Sequence, residues 1–308
     1  MDYKKFENEI VKAVEALVGN EYSVSINRVI KNNGVEFSAI NILCDGDHMV
    51  PNIYLQYYYE EYQKGSSLER IAQQILCVYE ENKNNRPDFL EQYLDLEQVK
   101  NHIFYRIVQY EKNRKTLDMV PHERVLDLAV TFHCLVEENS SGIQSFMISK
   151  ALMKKWGITE KQLYQDACHN TPRLFPAKIK SLEAMLNQWI GDEEISIIEN
   201  SSECQEADAL MENEQMPLYI LTNQYGINGA AVLLYPDFLE QISVRFQDDL
   251  YILPSSIHEL LVLPAGTFDV DDLTKMVEEV NCNVVDAEDV LSDTVYFYSY
   301  EDKCLQMC

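Results

Sequence analysis

The densest apolar sequence in this 308-residue chain lies in its last third, and it calls for a sheet. Residues 250–263 read Leu-Tyr-Ile-Leu-Pro-Ser-Ser-Ile-His-Glu-Leu-Leu-Val-Leu. Two short runs rich in β-formers flank a Pro-Ser-Ser break, so strands are expected at 249–253 and 257–263. Just upstream, apolar runs within 217–222 and 229–235 repeat the arrangement around a turn holding Gly226 and Gly229. With a further strand at 294–300 and helices at 236–246 and 269–281, the C-terminal part reads β-β-α-β-β-α-β. Asp269 or Asp271 places an acid at the start of the second helix, where the dipole favours it.

The earlier sequence mixes both element types. Phe6, Ile10, Val14 and Leu17 recur at helical spacing over 2–18. Strands at 24–30 and 35–43 flank Asn32-Asn33-Gly34, a turn signal because Asn and Gly accept positive φ. A third strand is expected within 49–55. Tyr54, Tyr58 and Tyr62 are four apart and would share a helix face packed on the sheet. A helix over 67–82 and another over 88–100 follow, then a strand at 102–108. Residues 124–136 and 143–148 read as a hairpin. Two helices over 149–169 meet at Trp156-Gly157-Ile158-Thr159, where Thr159 and Gln162 match a capping box. His169-Asn170-Thr171-Pro172 reads as a helix stop before proline, and 179–190 as a last helix. The expected fold class is therefore α+β, with two domains that each carry a mixed or antiparallel sheet and packed helices. They are 1–190 and 216–308, joined by an acidic linker at 191–215.

Charge is distributed unevenly. Residues 1–190 hold 26 acids and 22 bases, whereas 191–308 hold 25 acids and only Arg245, Lys275 and Lys303. Such an acidic segment repels nucleic acid and anionic membranes and attracts basic partners. No apolar run approaches the roughly 18–20 residues that cross a bilayer. The charged N-terminus lacks a signal-peptide core, so a cytoplasmic setting is expected. The eight cysteines are scattered and contain no CxxC, which reads as reduced thiols. Cys304 and Cys308 form a short pair without a nearby histidine, so no metal site is assigned there. No pattern implies a cofactor.

Candidate chemistry is sparse. Ser255, Ser256, His258 and Glu259 hold the residue types of acyl transfer. They are too close in sequence for a triad built from separate segments, and no G-x-S-x-G elbow accompanies them. Ser256, His258 and Glu259 remain the catalytic candidates of a hydrolase-type reading. His133 and Cys134 are strand neighbours that point to opposite faces. Cys168 and His169 diverge by about 100° on a helix. The 150–180 stretch is basic. Its Lys150, Lys154, Lys155 and Lys161 sit on a helix-turn-helix-like corner and are the candidates for nucleic-acid contact.

Several segments together carry a resemblance. Leu221-Thr222-Asn223 leads to Gly226-Ile-Asn-Gly-Ala-Ala231, followed by 250–259 and Glu279-Val-Asn281, with Asn170-Thr-Pro-Arg-Leu174 upstream. These resemble a bacterial family known only as a domain of unknown function and found mainly in gut Gram-positive species. A fainter likeness is to a second bacterial family with an α+β N-terminal part and a similar Leu-Pro strand pair. The resemblance implies bacterial origin and a cytoplasmic setting, and it supplies no activity, cofactor or catalytic residue.

The favoured reading is a non-enzymatic interaction module whose acidic C-terminal domain binds a basic protein, with nucleic acid disfavoured by the charge. A hydrolase using the 255–259 segment and a nucleic-acid binder using 150–180 stay open. The sequence leaves the oligomeric state undetermined.

Overall fold

The computed structural model describes residues 1–44, 51–82, 93, 95–139, 142–181 and 218–308. The chain forms two compact units, Met1–Glu91 and Gln92–Cys308.

In the first unit, α1 (Tyr3–Glu15) starts where the Asp2 carboxylate accepts from the Lys5 amide at 2.8 Å. It buries Phe6, Ile10 and Val14 completely. β1 (Tyr22–Ile30) and β2 (Glu36–Cys44) pair antiparallel from Tyr22↔Cys44 to Ile30↔Glu36. Asn33 and Gly34 take the positive φ that their hairpin needs. β3 (Ile53–Tyr54) adds a short third strand, α2 (Gln56–Gln63) follows it, and α3 (Leu68–Asn82) joins α1 over the sheet. Tyr54 belongs to β3, so it does not share a helix face with Tyr58 and Tyr62. The tyrosine cluster nevertheless packs: Tyr59 and Tyr62 stand 5.3 and 5.5 Å from Phe6. Glu7 is buried in this core and is answered by Arg28 at 2.8 Å and by the Ser38 hydroxyl.

In the second unit, α4 (Leu96–Val99) leads into β4 (Ile103–Gln109), α5 (Arg114–Leu117) and β5 (His122–Val125). The long β6 (Leu128–Asn139) pairs with β4 along one edge and with β5 and β7 (Gly142–Met147) along the other. α6 (Lys150–Trp156) ends on Gly157 at φ 69°, and Thr159 with Gln162 forms the expected capping box of α7 (Glu160–Leu174). A second sheet takes β8 (Ala177–Ser181), β9 (Tyr219–Asn223), β10 (Leu250–Leu253), β11 (Leu260–Pro264), β12 (Tyr296–Tyr298) and β13 (Leu305–Met307). Its order is β13-β12-β10-β11-β9-β8, antiparallel throughout. Helices α8 (Phe238–Phe246) and α9 (Val270–Asn283) complete the unit. One core joins the two sheets through Tyr105, Phe132, Leu221, Leu250, Val262 and Tyr296. The fold class is thus α+β with antiparallel sheets, as the sequence indicates.

Several expectations need correction. The run at 229–235 is a buried 3-10 helix (Gly229–Leu234) and not a strand, because an unbroken apolar run carries no period that separates the two. A Cβ at Gly229 would stand 2.0 Å from the Thr222 hydroxyl and 2.5 Å from the His258 carbonyl, so only glycine permits this approach. Residues 177–181, whose 179–181 were expected as the start of a helix, form strand β8; Ala-Lys-Ile-Lys-Ser alternates with the strand period. Residues 182–190 and the expected linker 191–215 lie outside the described residues. β8 before that stretch and β9 after it pair directly, Ala177↔Asn223 to Ser181↔Tyr219. α7 runs through Pro172 to Leu174 rather than stopping at 169–172, because Asn170 and Thr171 are anchored from outside the helix. Residues 305–307 form the edge strand β13. Most of the helix expected over 88–100 lies outside the described residues; 96–99 is helical.

Candidate functional site

β9 ends in a turn that the Asn223 side chain closes, accepting from the Tyr225 amide at 2.9 Å and donating to the Ile227 carbonyl at 2.9 Å. Gly226 and Asn228 then take positive φ, which both residue types tolerate. This turn meets the β10–β11 connection that holds the hydrolase candidates. The Ser256 hydroxyl accepts from the His258 amide at 3.0 Å. His258 Nδ1 accepts from the Asn228 amide at 3.2 Å, and Nε2 lies 3.3 Å from an Asp289 oxygen. An Nδ1 that accepts a backbone N–H carries no proton, so Nε2 holds the proton and donates to Asp289. Both ring nitrogens are engaged, and no lone pair is left to activate a hydroxyl. Glu259 is exposed, one residue before β11 begins. The segment is a structural joint: the His258 carbonyl accepts from Thr222 at 2.8 Å and the Ile257 carbonyl from Ala230 at 3.1 Å.

The basic corner forms, but its side chains are dispersed. Lys150 reaches the Asp118 carbonyl at 2.8 Å, and Arg173 holds the Asn101 carbonyl at 2.5 Å. Lys154, Lys155 and Lys161 are exposed. The inward face of α7 is committed to the edge of β4. Asn170 donates to the Lys100 and Ile103 carbonyls at 2.8 and 2.9 Å. The Thr171 hydroxyl accepts from the Tyr105 amide at 3.0 Å and donates to Ala167. Cys168 is half-buried on this helix and His169 exposed. Cys304 and Cys308 are exposed on either side of β13, and among the described residues no three His, Cys, Asp or Glu side chains group as metal ligands.

Two arrangements are absent from the sequence reading. Asp127, in the β5–β6 turn, accepts from the Ser292 hydroxyl at 2.5 Å and the Tyr296 hydroxyl at 2.6 Å. Burial, with this carboxylate close by, pushes the Tyr296 hydroxyl far above its ordinary pKa. The second is a small half-open cavity of about 10 Å³ at the β4 edge. Its walls include Arg106, Thr171, Asn223, Asn228, Phe104 and Phe175. Arg106 Nη2 donates to Ser145 at 2.9 Å, and the guanidinium lies 5.3 Å from the Phe104 ring centre. Nε is buried with no hydrogen-bond partner. Burial lowers the guanidinium pKa to about 10, so it stays charged at neutral pH. On the same sheet face lies His133, buried against Thr131 at 3.1 Å. Cys134 is buried on the opposite face, as strand alternation requires.

These features define an α+β protein of antiparallel sheets with polar joints among the described residues, and no described helix is long and apolar enough to cross a membrane. The chain belongs to DUF5688, a family of unknown function whose model matches residues 3–300. No curated protein and no solved structure matches the chain.

Proposed function

We propose that the protein is a non-enzymatic interaction module of the bacterial cytoplasm that binds a basic protein through its acidic C-terminal segment. The observation that carries this reading is the solvent face of α9. That helix buries Leu273, Val277 and Asn281, while Asp271, Asp272, Met276, Glu278 and Glu279 are exposed. Its one lysine, Lys275, reaches Asp272 at 3.3 Å. Glu278 and Glu279 lie toward the C-terminal end, where the helix dipole disfavours acids, and no base stands in the last turn. This placement lowers helix stability and gains an acidic face around an exposed methionine, which suits a basic and partly apolar partner. The free cysteines fit a reducing compartment. The engaged imidazole of His258 counts against the hydrolase alternative.

The test uses the intact chain and the double variant Glu278→Gln, Glu279→Gln as baits in a bacterial lysate. The intact chain should retain a defined basic protein at low salt and release it at moderate salt. The variant should melt about 1–3 °C higher, since two acids leave the negative end of the dipole, and should lose that protein. Equal retention by both baits, insensitive to salt, would overturn the reading.

A further inference from the structure

Arg106 stands in the middle of a sheet face, between two small apolar clusters. One is built on Phe104, Leu135 and Phe175, the other on Leu117, Val120 and Ala129. A cation withdrawn from water normally has a carboxylate beside it. Among the described residues none forms an ion pair with Arg106, whose Nε is buried with no hydrogen-bond partner. Arg106 Nε, a buried donor without a partner, therefore stands at the wall of a space that holds one water-sized group.

We infer that this cavity receives a carboxylate group, with an apolar body lying over its rim. The unpaired guanidinium selects the chemistry. A carboxylate presents two oxygens in a plane, the arrangement that a guanidinium edge meets with parallel hydrogen bonds. A phosphate would bring further charged oxygens against Phe104, Ile143 and Phe175, where no donor waits. Other polar groups at the wall are already committed. Thr171 bonds Tyr105 and Ala167, and Asn223 closes its own turn. The rim residues Ile143 and Ile227 are partly exposed and offer apolar contact to whatever carries the carboxylate. This inference is independent of the acidic face of α9.

The experiment titrates the full chain calorimetrically with hexanoate, hexanamide, inorganic phosphate, and an apolar tripeptide with a free or an amidated C-terminus. Hexanoate or the free-ended peptide should bind, hexanamide and the amidated peptide should not, and phosphate should bind at least about tenfold more weakly. Preference between hexanoate and the peptide tells a free organic acid from a chain end. Arg106→Met should lose at least about tenfold in affinity while its melting temperature without ligand rises, because an uncompensated buried charge is gone. Arg106→Lys keeps the charge but not the planar fork, so it should fold and still bind about tenfold more weakly, which covers the case in which the methionine variant fails to fold. Equal binding of hexanoate and hexanamide, preference for phosphate, unchanged affinity in Arg106→Lys, or no carboxylate binding at all would overturn the inference.

Discussion

His133 stands opposite Phe104 across the β4–β6 pair, with ring centres 5.6 Å apart, and its Nε2 meets Thr131. Burial, and then the charge of Arg106, hold its pKa well below the usual histidine value. The unfolded chain takes up this proton near pH 6.5 while the folded chain refuses it. Stability from this residue is therefore complete above about pH 7 and falls as pH drops below 6.5 toward the folded pKa, by up to about 1.4 kcal/mol per pH unit. Denaturant titrations between pH 5 and 7 should show this slope in the native chain and lose it in His133→Gln. Strand alternation is enough to read His133 and Cys134 as structural. It does not say that the histidine shares a face with Arg106, because that depends on the pairing of two strands distant in sequence. The one local signal for Arg106 is a lone arginine inside Ile-Phe-Tyr-Arg-Ile-Val, a run otherwise without charge. Asp127 offers no such signal, since its partners are set by the folded turn.

Elements whose chemistry is local were legible. The 32–34 turn follows from the positive φ of Asn33 and Gly34, and α7 begins where its capping box says. Its end follows a different logic. Asn170 and Thr171 act as substitutes for a missing neighbouring strand, satisfying the Ile103 carbonyl and Tyr105 amide on the open edge of β4. That external anchoring carries the helix through Pro172, which alone would predict a stop. Asn170→Ala leaves the Lys100 and Ile103 carbonyls without this donor, and we expect a loss of about 2–3 kcal/mol in chemical denaturation. A loss below about 0.5 kcal/mol would show that water replaces the amide. The 3-10 helix at 229–234 and strand β8 are illegible in the sequence for opposite reasons. The first carries no period, while the second carries the right period in a segment too short to outweigh its lysines.

The charge break at residue 191 is a break in composition, and the compact units divide at Glu91 and Gln92 instead. Composition reports what the surface faces, whereas compactness follows from which strands pair. β8 is the edge strand beside β9, and Asp127 bonds Ser292 and Tyr296, so residues before 182 complete the structure of those after 217. A fragment of residues 93–308 should melt cooperatively by circular dichroism. A fragment of residues 218–308 should not, since it loses β8 and leaves the Ser292 and Tyr296 hydroxyls without their acceptor. A sharp transition in the shorter fragment would contradict this account.

The Asp127 joint also sets a clock. Its two partners follow it by 165 and 169 positions. At about 5–20 residues per second of synthesis, the carboxylate emerges roughly 10–30 s before either hydroxyl exists. Until then the β5–β6 turn has nothing to close upon, and the newborn chain spends that interval with its central joint open.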